Sequence, residues 1–299
     1  MADLHRTARR LRDLVEPVAA SVYFAPECHT NYAALGFGAS PGEFAGVAAP
    51  EMCAYFTSRG ACLGHVPGEV VAAAFGVFTP AIVVPAVTQG WATTDRDSVL
   101  AARLHGQRAQ LERILGPEPA GIDRATALLR RVADVARHAG RPMFAGLASL
   151  GFPGDPMGDF WRAADLVREH RGDCHTIAWT SSGLTAPEVM LVTELWWGMP
   201  ARSYSLTRGW TTEQYDAAED RLRSNGLLDD GGLTTEGRAL RSRIEHDTDR
   251  LEAPAVAALG DDVDELFGLL EPWSASIVAG GGYPANAFQT VAELDADAA

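Results

Sequence analysis

The 299-residue sequence is 47% apolar and 21% charged, so it is long enough for two globular domains and too apolar for a disordered chain. Its formal net charge is −14, which disfavours nonspecific binding to nucleic acid or to anionic lipid. All 25 basic residues are arginine. Without lysine, the chain can form neither a pyridoxal phosphate Schiff base nor the phosphate-binding lysine of a Walker P-loop.

Periodic apolar residues predict a mainly α-helical chain with few strands. In chain order, the predicted helices cover residues 3–22, 26–35, 43–58, 67–75, 95–115, 122–139, 157–170, 174–181, 186–197 and 211–225, followed by a long helix through residue 245. A short strand is predicted at 203–206. A hairpin is predicted at 227–234, where two apolar segments flank an Asp-Gly turn.

The N-terminal residues and the cysteines predict a cytoplasmic protein that does not contact membranes. Arginines at positions 6, 9, 10 and 12 interrupt what would be the apolar centre of a signal peptide, and no later segment approaches the roughly 18 apolar residues of a membrane span. The four cysteines, at 28, 53, 62 and 174, have no C-x-x-C spacing. We expect them to be reduced.

Several short phrases occur twice in the same order, which predicts an internal duplication. Gly90-Trp91 matches Gly209-Trp210, and the Arg-Gly-x-Cys phrase at 59–62 matches the one at 171–174. The expected organisation is a first repeat at 1–116, a linker and connecting helix at 117–145, a second repeat with a C-terminal cover at 146–288, and a disordered tail at 289–299.

Residues 210–245 have the order of elements found in winged-helix proteins. A helix is followed by a Gly-Leu-Leu segment at 226–228, an Asp-Gly turn, a Leu-Thr-Thr-Glu-Gly segment at 233–237 and a long helix. This order resembles the recognition helix, wing and following helix of MarR-type regulators. More widely, the chain resembles an actinobacterial helix-turn-helix-derived family in its phrases at 168–173, 208–210 and 248–251. The resemblance implies a mainly α, tandem winged-helix or helix-turn-helix fold, in which the first repeat at 1–116 has lost its wing and the second, winged-helix repeat at 146–288 keeps a small hairpin wing.

The charge of the winged-helix region argues against DNA as a partner. Recognition helices and wings contact phosphates and base edges through basic or small polar groups. Residues 211–236 contain seven acidic residues, and their only basic residues are Arg221 and Arg223. We therefore expect no DNA binding, and a MarR-like ligand-responsive transcriptional regulator is the alternative function.

Residues 168–175 form the densest cluster of chemically active side chains. Because histidine titrates near neutrality, His175 is the candidate general acid or base. Asp173 or Glu194 is the candidate to orient it, and Arg171 is the candidate to hold an anionic substrate group. Gly172 is expected to end one helix and Asp173 to cap the next. In the alternative interpretation, His175 is an ordinary buried histidine with a hydrogen-bond partner.

Aromatic residues supply candidates for the wall of an apolar ligand site. Trp196 and Trp197 are adjacent, so on a helix they point about 100° apart and one of them is available to line a cavity. Glu27 also suits a helix start, where an acid complements the helix dipole. The complete set of predicted ligand-binding residues is Tyr23, Glu27, Tyr32, Trp179, Trp196 and Trp197.

The leading functional hypothesis is an acidic winged-helix derivative that binds an apolar or aromatic small molecule between the repeats. It would act as a monomer or homodimer and catalyse acid–base chemistry without an organic cofactor, for example in tailoring a natural product. The third hypothesis is a metal- or haem-dependent enzyme that uses His175. Its candidate metal ligands are His175, His170 and Glu194, whose spacing matches no zinc pattern.

Overall fold

The structure is a computed structural model that describes residues 2–285. The predicted tail at 289–299 lies outside the described residues. The helices are α1 (Ala2–Ala20), α2 (Pro26–Ala34), α3 (Met52–Gly60), α4 (Gly68–Phe75), α5 (Pro80–Thr93), α6 (Arg96–Leu115), α7 (Ile122–Val135), α8 (Pro142–Ala148), α9 (Pro156–Ser181), α10 (Ala186–Trp196), α11 (Thr212–Ser224), α12 (Thr235–Val256) and α13 (Val263–Ala279). Within residues 2–285, no helix combines the length and apolar character needed to cross a membrane.

The prediction of a mainly helical chain with a hairpin after α11 is confirmed. Strands β3 (Leu228–Asp229) and β4 (Gly232–Leu233) pair antiparallel. The start of α12 lies against this hairpin, since a Cβ atom on Gly237 would lie 2.1 Å from the carbonyl oxygen of Leu227. Glycine is therefore required where the helix leaves the hairpin.

Two local predictions are wrong. The first six residues of the predicted helix at 43–58 form a second hairpin, in which β1 (Glu43–Phe44) pairs antiparallel with β2 (Val47–Ala48). The hairpin turn includes Ala45 at φ 49° and Gly46 at φ 81°, values that interrupt a right-handed helix. Residues 203–206 do not form the predicted strand, and a 3₁₀ helix is found at Ser205–Arg208.

Helix α9 is continuous through Gly172, where the sequence predicted a break. A glycine inside a helix costs only about 0.5–1 kcal/mol relative to alanine. Packing outweighs this cost, because α9 lies against α1, α6, α7, α8 and α12. This helix consequently presents residues 168–175 to several different neighbours instead of placing them in a loop.

One apolar core extends from Ala8 of α1 to Tyr283 after α13, and both predicted repeats contribute to it. A second apolar cluster, which includes Leu191, Tyr215 and Leu233, joins α10 and α11 to the β3–β4 hairpin. The segment from α10 to the β3–β4 hairpin thus has a small core of its own.

The two Gly-Trp phrases have different backbone conformations. Gly90 lies inside α5, whereas Gly209 adopts φ 79° before α11 begins. Their tryptophans make similar bonds, because Trp91 donates to the carbonyl of Val66 at 2.9 Å and Trp210 donates to that of Val77 at 2.8 Å. The fold does not show a tandem duplication.

Candidate functional site

Two neighbouring cavities lie between the N-terminal helices and the segment that begins with α10. The first cavity, of about 250 Å³, is lined by α1, α9, α10 and α12. The second cavity, of about 320 Å³, is lined by α1, α3 and the β1–β2 hairpin. Both volumes are near the lower end of the range for small-molecule sites. The residues that line both cavities are Glu16, Arg168, Tyr204 and Arg208.

The first cavity combines apolar walls with many charges. Its apolar lining consists of Val15, Val77, Val167, Val189, Met190 and Trp197. Its arginines are Arg12, Arg59, Arg168, Arg171, Arg208 and Arg241, and its carboxylates are Glu16, Glu245 and Glu252. The pairing of these charges decides which of them is available to a ligand.

Arg171, predicted to hold an anionic substrate group, is already neutralised. Its guanidinium forms ion pairs with Glu245, Asp249 and Glu252, all on α12, and every member of this cluster is buried. Burial raises the pKa of Glu252 to about 7 despite the arginine beside it. Arg171 therefore joins α9 to α12, which differs from the predicted role.

Arg59 and Arg168 are also compensated by carboxylates. Arg59 makes two bonds to Glu169, at 3.0 and 2.9 Å, and Arg168 makes two bonds to Glu16, at 3.0 and 3.2 Å. Burial would raise the pKa of Glu169, but Arg59 and Arg168 outweigh it and lower this pKa to about 2. Tyr23 donates to the same carboxylate at 3.3 Å.

Arg208 has a different environment. Its guanidinium bonds to the hydroxyl of Tyr204 and lies 4.5 Å from the ring centre of Phe78 and 4.4 Å from that of Tyr204. Its Nε atom is buried without a hydrogen-bond partner. Burial, together with the charges of Arg59 and Arg168, lowers the pKa of Arg208 to about 10, so the group is still protonated at neutral pH.

His175 lines the first cavity, and its hydrogen bond to Thr248 favours one tautomer. Its Nδ1 atom lies 3.1 Å from the hydroxyl oxygen of Thr248, and that hydroxyl donates to the carbonyl of Ile244 at 2.8 Å. Because the Thr248 proton is used in this way, Nδ1 of His175 is the donor and Nε2 is the acceptor. Burial and the charge of Arg241 lower the pKa of His175 to about 3, so it stays neutral at physiological pH.

We expect NMR to show His175 as the neutral Nδ1–H tautomer, without titration between about pH 5 and pH 8. Long-range ¹H–¹⁵N correlation spectra report the protonation of each ring nitrogen, and the His175→Gln variant assigns the signal. A midpoint near the ordinary histidine pKa, or a proton on Nε2, would contradict the geometry of the bond to Thr248.

Asp173 and His170, two other reactive side chains of this segment, line neither cavity. Asp173 lies inside α9 and accepts a bond of 2.9 Å from the amide of Phe144, so the expectation that it caps the next helix is wrong. It instead stabilises the N-terminal turn of α8. Burial raises the pKa of Asp173 to about 7. His170 packs edge-on against Phe144, and burial and the charge of Arg141 lower its pKa to about 4.

Glu194 does not orient His175. It is fully buried and accepts hydrogen bonds from the backbone of Arg202, Tyr204 and Ser205, as well as from the Ser205 hydroxyl at 3.1 Å. Glu194 faces the turn after α10 because the backbone amide groups of that turn need an acceptor. Glu194 thus fixes the segment that carries Tyr204 and Arg208 into the cavity wall.

The predicted ligand-binding residues of the N-terminal part do not line the same cavity. Tyr23 lines the second cavity, whereas Glu27 forms an ion pair with Arg113 at 2.6 Å. Tyr32 borders a void of about 10 Å³, which has room for one water at most. The predicted wall of Tyr23, Glu27 and Tyr32 does not form.

The three tryptophans predicted to bind a ligand, Trp179, Trp196 and Trp197, also have different surroundings. Trp197 lines the first cavity, whereas Trp196 packs under the guanidinium of Arg241 at 4.4 Å from its ring centre. Trp179 lies in an apolar cluster with Val189 and Met190 and does not line either cavity. Only Trp197 of the three is in a position to touch a ligand there.

The three candidate metal ligands lie apart. His170 and His175 are five residues apart on one helix and therefore point about 140° apart, while Glu194 is used by the turn at 202–205. Across residues 2–285, no three or more His, Cys, Asp or Glu side chains are grouped to hold a metal ion.

Arg208, Tyr204 and Glu16 are cavity residues that sequence reasoning missed. The only signal was the position of Arg208, directly before the repeated Gly209-Trp210 phrase. Nothing in the spacing of Glu16 or Tyr204 indicates that they meet α9.

The order of α10, α11, the β3–β4 hairpin and α12 defines a helix-turn-helix protein. Residues 8–284 match a helix-turn-helix family, and the chain belongs to that family. No curated protein and no solved structure shows significant similarity to the chain.

Proposed function

We propose that this protein binds an apolar or aromatic small molecule in the first cavity and that its MarR-like winged-helix segment does not read DNA. The observation that carries this proposal is a cavity between α9, α10 and α12 whose lining combines the apolar side chains of Trp197 and Met190 with the polar side chain of His175. Ligand sites of this kind combine apolar walls with a few placed polar groups.

The surface of the winged-helix segment supports the second part of the proposal. Arg221 is paired with Glu188 at 2.9 Å and Arg223 with Glu219 at 3.3 Å, so the positive charges of α11 are both compensated. The wing turn at 229–230 is acidic and exposed. This surface would repel phosphate, which disfavours a DNA-binding regulator.

His175 is placed for binding and not for proton transfer. A general acid or base works best when its pKa is near the operating pH, and the lowered pKa of His175 is far from that value. His175 is better suited to accept a hydrogen bond from the ligand than to transfer a proton.

We expect the Gly172→Leu variant to lose binding of 2-naphthamide, a neutral aromatic probe, by at least about tenfold. Gly172 lines the first cavity, and a Cβ atom there would meet only the Glu169 carboxylate, at 3.7 Å. A leucine side chain therefore occupies cavity volume, and the fold is expected to gain about 0.5–1 kcal/mol because a helical glycine is removed. Calorimetric titration measures the affinity, and thermal unfolding measures the stability.

The matched control is Gly268→Leu. Gly268 lies in α13, is exposed, and has no atom within 4 Å of a built Cβ. Equal affinity in both variants would show that the probe binds outside the first cavity, and absence of binding to the unsubstituted protein by any naphthalene probe would overturn the proposed function.

A further inference from the structure

Among the described residues, Arg208 is the arginine of the first cavity without a carboxylate partner. The pairs formed by the others are Arg12 with Asp13, Arg59 with Glu169, Arg168 with Glu16, and both Arg171 and Arg241 with Glu245. Within residues 2–285, the Arg208 guanidinium instead contacts the Tyr204 hydroxyl and two aromatic faces. A partly buried charge in this state is unfavourable unless an anion approaches it.

We propose that the ligand is an aromatic carboxylic acid whose carboxylate binds Arg208 and whose hydroxyl or N–H group donates to Nε2 of His175. This inference rests on the proposed function and names the ligand class of the same cavity. It moves the anion-binding role from Arg171, whose three carboxylate partners leave it no free charge, to Arg208.

The charge balance indicates a single negative charge on the ligand. With the other arginines compensated, Arg208 contributes one positive charge, and Glu16, Glu245 and Glu252 also line the cavity. A dianion such as a phosphate monoester would bring a second negative charge towards these carboxylates without a cation to meet it. A carboxylate fits the planar guanidinium and supplies an acceptor for the unpartnered Nε atom.

The side chains next to Arg208 indicate that the ligand is aromatic. Tyr204 and Trp197 both line the first cavity, and their rings lie 6.3 Å apart at an angle of 50°. Aromatic rings prefer tilted or edge-on contacts at such separations. A flat apolar ligand with its acid group at Arg208 would therefore lie along these rings.

The other polar contact comes from His175. Its bond to Thr248 fixes Nε2 as an acceptor, so this atom can receive a proton donor but cannot itself donate to a carbonyl or a carboxylate. The acid group of the ligand consequently belongs at Arg208 and a hydroxyl or amine group at His175.

The test compares two isosteric probes, 2-naphthoic acid and 2-naphthamide, by calorimetric titration of the full-length protein. The unsubstituted protein is expected to bind the acid about tenfold to hundredfold more tightly than the amide, as a charge-assisted hydrogen bond provides. The Arg208→Gln variant is expected to lose this preference while it keeps its affinity for the amide. Arg250→Gln, a change at an exposed arginine of α12, should leave both affinities unchanged.

A third probe, 6-hydroxy-2-naphthoic acid, tests the proposed hydrogen bond to His175. Its hydroxyl should strengthen binding to the unsubstituted protein severalfold, and the His175→Phe variant should remove that gain alone. Binding of the amide by each variant verifies that the cavity is still folded.

The outcomes separate this inference from the function on which it rests. If the unsubstituted protein binds acid and amide equally, and Gly172→Leu weakens both, the cavity binds small molecules but the acid class is wrong. If Arg208→Gln binds the amide normally and still prefers the acid, Arg208 is not the anchor and the inference fails. If the unsubstituted protein prefers the acid and the Arg208→Gln variant does not, the inference is supported.

Discussion

Replacement of Arg171 by methionine is expected to destabilise the protein by about 3–5 kcal/mol, which is the usual consequence of removing one member of a buried charge cluster. Arg9, Arg171 and Arg241 are balanced by Glu245, Asp249 and Glu252 in the interface of α1, α9 and α12. Without Arg171, a carboxylate remains buried and uncompensated. Urea unfolding monitored by circular dichroism measures the change.

The pH dependence of this loss has a definite sign. In the folded protein burial holds the pKa of Glu252 at about 7, above its ordinary value of 4.5, so this group favours the folded state below about 4.5 and loses that contribution as the pH rises to about 7. Arg171 lowers the pKa of Glu245 and of Glu252, so its removal raises the pKa of both groups. The deficit of the variant should therefore shrink when the pH falls from about 8 to about 5.

The control for this experiment is Arg250→Met. Arg250 also lies on α12 and forms an ion pair, with Asp247 at 3.0 Å, but both side chains are exposed. Its removal should change stability by less than about 1 kcal/mol. If both variants lose similar stability, or if the loss at Arg171 does not depend on pH, the charge cluster is not what joins α9 to α12.

Replacement of Glu194 by glutamine is expected to cost about 2–4 kcal/mol, although the two side chains have nearly the same shape. Both carboxylate oxygens accept hydrogen bonds, with the amides of Tyr204 at 3.1 Å and Ser205 at 2.9 Å on one of them. Glutamine replaces one oxygen by an NH₂ group, which would face amide donors that then have no acceptor. The turn after α10 should open, and Arg208 should lose its position in the cavity wall.

Two measurements test this prediction together. Urea unfolding gives the stability, and hydrogen exchange at the amides of Tyr204 and Ser205 shows whether the turn has opened. The exposed Glu112 of α6 supplies the control substitution Glu112→Gln, which should leave both measurements unchanged. Protected amides at Tyr204 and Ser205 in the Glu194→Gln variant would show that another group holds the turn.

Much of the helical architecture could be predicted from periodicity, caps and breakers. The hairpin after α11 followed from its Asp-Gly turn between apolar segments, because that signal is local. The break at Gly172 was predicted by the same local reasoning and is absent, since contacts between α9 and five other helices outweigh the preference of one glycine. The β1–β2 hairpin was missed because its two-residue strands carry almost no periodicity.

The candidate site could be predicted only in part. His175 and Trp197 were singled out as unusual and both line the first cavity, whereas Glu27, Tyr32, Trp179 and Trp196 do not line it. Which side chain of a helix faces a cavity depends on its angular position against neighbours that come from distant parts of the chain.

The sequence by itself determined the helical class, the acidic composition of residues 211–236 and the chemistry that a chain without lysine cannot perform. These are properties of composition and local pattern. Only the tertiary structure decided which arginine of the cavity lacks a carboxylate partner, because Arg171 finds its partners 74 to 81 positions away and Arg208 finds none among the described residues. Charge pairing acts through space over a few ångströms and is therefore set by packing.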